Sequence, residues 1–143
     1  ICWRYQSSHF ALITNHDWKE TANLCLKVPE NYQGDCFRTI GTNQVGFTRD
    51  TTKMRDNCYL MPTDRFQEVC LAGVISSFAY RFVGNIDRME NFCSEVKNEF
   101  QESCFRQVGT SVIDWSKNKE EAVSFCNNIN TSQFSSWCKS ALL

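Results

Sequence analysis

The sequence predicts an all-α protein built as an array of 34-residue helical hairpins, and three observations predict it. Cys2, Cys36, Cys70, Cys104 and Cys138 follow one another at that one constant interval. Cys25, Cys58, Cys93 and Cys126 fall between them, at intervals of 33, 35 and 33. Four residues before Cys36, Cys70, Cys104 and Cys138 stand Tyr32, Phe66, Phe100 and Phe134. Positions i and i+4 share a helix face, so each of these cysteines lies one turn after an aromatic on a stripe expected to be buried. Units of this kind cover their apolar faces only against their neighbours.

Read in order, residues 1–16 form a half-unit carrying Cys2, and the hairpins occupy about 17–48, 49–84, 85–115 and 116–143 of a single domain, 1–143. In the first hairpin Asp17 suits the N-cap of a helix over Trp18–Leu26, which also absorbs the His16-Asp17 pair. Pro29 then opens the second helix, and Ile40-Gly41 continue its stripe beyond Cys36. In the next hairpin Asp50-Thr51-Thr52 precede Lys53–Leu60, Pro62 of Met61-Pro62-Thr63-Asp64 marks a second start, and Val74-Ile75 extend the stripe. The third begins at Asn85 to Asp87, ahead of Arg88–Glu95, and ends on Val108-Gly109. In the fourth, Asn130-Thr131-Ser132 is the cap and Leu142 and Leu143 close the stripe. Leu24, Phe92 and Phe125 place an apolar side chain just before Cys25, Cys93 and Cys126.

The cysteines stand too far apart for a zinc cluster, there is no C-x-x-C, and His9 and His16 are not interleaved with cysteine pairs. Isolated cysteines at this density read as structural disulfides, which places the chain in an oxidising, extracytoplasmic compartment, secreted or periplasmic. Two pairings fit antiparallel helices. Within hairpins the bonds are Cys25–Cys36, Cys58–Cys70, Cys93–Cys104 and Cys126–Cys138, at separations alternating between 11 and 12. Between hairpins they are Cys2–Cys25, Cys36–Cys58, Cys70–Cys93 and Cys104–Cys126. Hairpin partners are tied more closely, which favours the first set. Cys2 is then left over, as a half-unit whose earlier part is missing, as a bond to a partner chain, or as a buried thiol. The start at Ile1 instead of Met fits removal of a signal peptide or loss of an upstream part.

The alternation of 11 and 12 points to a longer, 68-residue period. Cys36-Phe37-Arg38-Thr39-Ile40-Gly41-Thr42 matches Cys104-Phe105-Arg106-Gln107-Val108-Gly109-Thr110, Gln33 matches Gln101, and Ser8-His9-Phe10-Ala11 matches Ser76-Ser77-Phe78-Ala79. Arg38 and Arg106 are therefore expected at equivalent surface positions.

Chemistry is less legible. A net charge of −1 with mixed signs gives no reason to expect nucleic acid, and the apolar stretch Val69–Ile75 is far short of a membrane span. No phosphate loop, H-E-x-x-H or C-x-x-C-H occurs, and Met54, Met61 and Met89 do not cluster. Acidic residues such as Asp87, Glu90 and Glu95 read as polar-face positions. Asn130-Thr131-Ser132 also meets the N-glycosylation pattern, usable only in a eukaryotic secretory route. No catalytic, metal or cofactor site is predicted.

The 34-residue helical hairpin, the aromatic on its second helix and the glycine five residues after Cys36 and Cys104 resemble the tetratricopeptide and Sel1-like repeat class, in its cysteine-bridged secreted form. The tetratricopeptide set of Trp, Leu-Gly, Tyr, Ala and Pro is absent. The resemblance implies a right-handed solenoid that binds proteins or peptides, and it transfers no functional residue. The expectation is an extracytoplasmic interaction or assembly module without catalytic activity. Its candidate contacts are Trp3, Arg38, Arg106 and Trp115, with the apolar Leu142 and Leu143, and its partner another protein or further copies of itself. The alternative is a carrier of a small apolar ligand held between helices, which the 11 phenylalanines allow.

Overall fold

A computed structural model describes residues 3–143, residue 4 by its backbone alone. The described residues are all-helical, with no strand among them. The helices are α1 (Gln6–Ile13), α2 (Trp18–Cys25), α3 (Glu30–Phe47), α4 (Thr51–Tyr59), α5 (Asp64–Arg81), α6 (Ile86–Ser94), α7 (Asn98–Val112), α8 (Lys119–Asn127) and α9 (Ser132–Ser140). Short 3-10 turns lie at Trp3–Tyr5 and Ile113–Trp115. Contacts gather into two units, Ile1–Val74 and Ile75–Leu143, and α5 runs through the boundary.

Four disulfides join the described cysteines: Cys25–Cys36, Cys58–Cys70, Cys93–Cys104 and Cys126–Cys138, with Cα–Cα distances of 5.4–5.7 Å. All of these cysteines are buried. Each bond ties the last turn of one helix to the second turn of the helix that follows. Cys2 lies outside the described residues.

Helix starts follow the side chains available. Asp17 accepts from Glu20 N at 3.0 Å, Asp50 from Thr52 N and Lys53 N at 2.9 and 3.2 Å, and Asn85 from Arg88 N at 3.1 Å. Asn118 caps α8 through Glu121 N in the same way, a start the sequence reading passed over. Pro29 occupies the N-cap of α3. Pro62 does not open α5. Helix α5 begins two residues later, where the Thr63 hydroxyl accepts from Phe66 N at 3.2 Å. Asn130 is not a cap either. Thr131 holds that position in α9, while the Asn130 backbone and side-chain N–H groups donate to Glu90 at 3.0 and 3.4 Å. Glu90, expected on a polar face, is buried by this contact.

In three of the hairpins a glutamine three residues before the second cysteine secures the loop. Gln33 Nε2 donates to the Leu26 and Val28 carbonyls, and Gln101 Nε2 to those of Ser94 and Val96. The side chain thus satisfies carbonyls orphaned at the end of the preceding helix. Gln67 does the same for Met61.

The core of each unit lies along its longer helices. The aromatic stripe needs correction. Phe100 is buried, Phe66 and Phe134 are half-buried, and Tyr32 is exposed, although all four sit on the first turn of their helices. The deeply buried rings are Phe37 and Phe105, each one residue after its cysteine, with Phe78 and Phe92. Phe66 stacks on Phe37 (centroids 4.0 Å apart, planes at 22°) and Phe134 on Phe105 (4.3 Å, 15°). Ile40, Val74 and Val108, four residues after their cysteines, are buried, as is Leu142. Leu143 is 99% exposed, so the stripe ends one residue early. Gly41 in the first unit and Gly109 in the second let neighbouring helices touch backbone to backbone.

Candidate interaction surface and an aromatic cleft in the first unit

Helix α1 is inside out. Its buried positions are the small Ser7 and Ala11, Phe10 is half-buried, and Leu12 and Ile13 face solvent, 68% and 61% exposed. Tyr5, seven residues before Leu12 and so on the same face, is 64% exposed. On an ordinary amphipathic helix this pattern is reversed.

Beside the stripe the first unit opens into a cleft of about 370 Å³, lined by Ser8, Ala11, Leu12, His16, Trp18, Asn43, Gly46 and Phe47. Three rings make one side. His16 stacks on Phe47 (4.8 Å, 19°), and Trp18 meets Phe47 edge-on at 5.3 Å (79°) and His16 at 5.7 Å (65°). Trp18 is buried, but Phe47 is 51% exposed. Ser8 and Asn43 hydrogen-bond to each other across the rim at 3.2 Å.

The loop that delivers His16 is strained. Asn15 and His16 both have positive φ, 52° and 62°. The conformation lets the His16 N–H reach back to the Ala11 carbonyl at 2.7 Å and Asn15 N to Leu12 O at 3.1 Å. Asparagine tolerates the left-handed region, but a histidine held there costs about 1–2 kcal/mol. At the position equivalent to His16, the second unit places Gly84 at φ 81°, with no such penalty.

Buried polarity also differs between the units. Gln44, fully buried in α3, accepts from Asn57 Nδ2 at 2.8 Å, while its own Nε2 and the buried Ser7 hydroxyl find no protein partner. The equivalent positions in the second unit are Val112 and Ile75, both apolar and buried.

The residues singled out by the sequence are dispersed. Trp3 is half-buried in a 3-10 turn that packs on α3. Arg38 is half-buried, and desolvation lowers its guanidinium pKa, opposed by the charge of Asp35. Arg106 is exposed and pairs along its helix with Glu102 at 3.0 Å. The two arginines share a backbone setting without sharing an environment, because Gly34 stands where the second unit has Glu102. Trp115 is committed inside its unit. Its Nε1–H donates to the Ala79 carbonyl at 2.9 Å and its ring meets Phe125 edge-on at 5.3 Å. Leu142 is buried against a second cleft of about 320 Å³ that Ile113, Lys117, Asn118 and Ala122 also line, and Leu143 projects into solvent.

Sequence reasoning missed the first-unit cleft. Its signal was the long-period alignment carried past Ala11, where His16 falls on Gly84 and Phe47 on Trp115.

Among the described residues no group of three or more His, Cys, Asp or Glu is placed to hold a metal ion, and no helix is long and apolar enough to cross a membrane. No protein-family model, curated protein or solved structure matches the chain.

Proposed function

We propose that the protein is a non-catalytic interaction or assembly module that works outside the cytoplasm, built as a duplicated pair of disulfide-stapled helical hairpins of the tetratricopeptide or Sel1-like kind. The observation that carries the reading is the outward-facing apolar stripe of Tyr5, in the turn before α1, and Leu12 and Ile13 of α1, continued by Phe47. A large exposed apolar patch is costly to keep in water and is retained where a partner covers it. Four internal disulfides fit an oxidising compartment, in which each short loop closure stabilises the hairpin that carries it. Contacts that recur at equivalent positions support the duplication: the Phe37–Phe66 and Phe105–Phe134 stacks, the Gln33 and Gln101 clasps, and the Asp17 and Asn85 caps.

The test is a photo-crosslinking amino acid at Ile13, with a control at the exposed Glu120, in the organism's own secreted fraction. A discrete adduct from position 13 alone supports the reading. A chain that stays monomeric at millimolar concentration, binds no apolar dye and gives no adduct overturns it.

A second reading, a carrier of a small apolar ligand, is favoured by the first-unit cleft with its one wall of three aromatic rings.

A further inference from the structure

The two units carry the same wall and fill it differently. In the second unit Trp115 lies over the Ala79 carbonyl and donates its indole N–H to it at 2.9 Å. In the first unit the equivalent residues are Phe47 and Ala11, and both line the 370 Å³ cleft. A phenyl ring lacks the five-membered ring and the N–H, so Phe47 cannot make the bond that Trp115 makes. Phe47 instead stacks on His16, a ring that the second unit lacks because Gly84 stands there.

We propose that the first-unit cleft binds a planar aromatic ring bearing a ring N–H, of the indole type, in the place that Trp115 occupies in the second unit. The Ala11 carbonyl is the acceptor; it takes the His16 N–H at 2.7 Å, and the Thr14 hydroxyl, 3.4 Å away, has its single proton better placed toward the Phe10 carbonyl at 2.9 Å, so a ligand N–H competes only with this longer contact. Phe47, His16 and Trp18 supply aromatic surface, and Leu12 an apolar lip. The hydroxyl of Ser8 and the amide of Asn43, already bonded to each other, mark the polar rim. The volume falls within the range of small-ligand sites. The proposal rests on the carrier reading of this cleft; Leu12 and Phe47 also belong to the exposed apolar stripe, but the crosslink at Ile13 and the indole titration read the two surfaces separately.

Indole itself is the probe, titrated into the full-length oxidised chain while backbone amide resonances are followed by NMR. Saturable shifts are expected at Ala11, Gly46 and Phe47. Phe47→Trp, which supplies the missing ring from the chain, is expected to weaken indole at least about tenfold without loss of fold. Benzofuran, of the same shape without the N–H, is expected to bind about tenfold more weakly than indole. N-acetyltryptophanamide tells the source: binding tighter than free indole indicates a tryptophan side chain, weaker binding a small molecule, and both satisfy the proposal.

Absence of saturable shifts in the wild-type cleft at millimolar indole and benzofuran overturns the ligand site altogether. Equal binding of the two probes overturns the N–H recognition and leaves a plain apolar carrier. Undiminished indole binding by folded Phe47→Trp places the ring elsewhere and overturns the assignment.

Discussion

Gly41 of α3 and Gly73 of α5 are each other's clearance. A Cβ on Gly41 would lie 1.8 Å from the Cys70 carbonyl oxygen, and a Cβ on Gly73 would lie 2.0 Å from that of Arg38. Both obstacles are backbone, so no rotamer change relieves them. Between these contacts the Thr42 hydroxyl lies 3.3 Å from the Arg38 carbonyl and 3.4 Å from that of Gly73. In the second unit a Cβ on Gly109 would lie 2.1 Å from the Cys138 carbonyl oxygen, and Ala141 stands where the first unit has Gly73.

Substitution at these positions therefore has a diagnostic sign. Mid-helix Gly→Ala normally stabilises by about 0.5–1 kcal/mol. Gly34→Ala, with nothing within 4 Å of the new methyl, should show that gain. Gly41→Ala and Gly73→Ala should instead lose about 2–3 kcal/mol as the two helices are forced apart. Urea unfolding of the three variants checks this, and a gain at Gly41 would mean that the crossing is looser than described.

The division of labour between sequence and structure follows from which features have a period. Cysteines at constant spacing mark a helix face, so the helices, their order and the within-hairpin proximity of Cys25 and Cys36 were legible. Caps at Asp17, Asp50 and Asn85 were legible because one side-chain oxygen decides each. Tyr32 was misplaced because the i−4 position shares the cysteine's face without fixing its depth: Phe100 is buried there and Tyr32 is exposed. Glu90 was misread because its partner, Asn130, is 40 residues away, and the bond from Trp115 to Ala79, 36 residues away, likewise leaves no local pattern. The cleft was invisible because it exists as a difference between two copies, Phe47 against Trp115, not as a motif.

Reduction should unfold the protein. Each disulfide closes a loop of 11 or 12 residues, worth about 2–3 kcal/mol. Losing all four removes about 10 kcal/mol, the size of a domain's whole stability. A paired Cys25→Ala/Cys36→Ala variant should lose only its own share. Circular dichroism melts with and without reductant make the comparison, and a reduced chain that kept its helix content and melting temperature would contradict it.

Glu90 accepts from the backbone of Asn130 through one carboxylate oxygen and from its side chain through the other, and an amide has only one such oxygen. Glu90→Gln brings an NH₂ group against one of those donors in a buried site. The expected cost is about 1–3 kcal/mol. Asn130→Ala keeps the backbone donor and should cost less. A double-mutant cycle of Glu90→Gln with Asn130→Ala should return a coupling of about 0.5–1.5 kcal/mol, and strict additivity would show that the contact contributes nothing.

Exchanging the two aromatic residues tests the asymmetry between the units directly. Trp115→Phe deletes the N–H that satisfies the Ala79 carbonyl and part of the surface against Phe125. The loss expected is about 1–2 kcal/mol. Phe47→Trp should move the other way, because the added ring enters an existing cleft and does not displace packed atoms; a gain of about 1 kcal/mol corresponds to the apolar area newly covered. The stacking of Phe47 on His16 opposes that gain only if the new indole must abandon His16 to reach Ala11. Denaturant unfolding of both single variants and of the exchange decides it. Opposite signs in the singles, with near-cancellation in the exchange, mean that the same wall is full in one unit and open in the other. Destabilisation by both means that the first-unit cleft is shaped by its own packing, with no room for a ring.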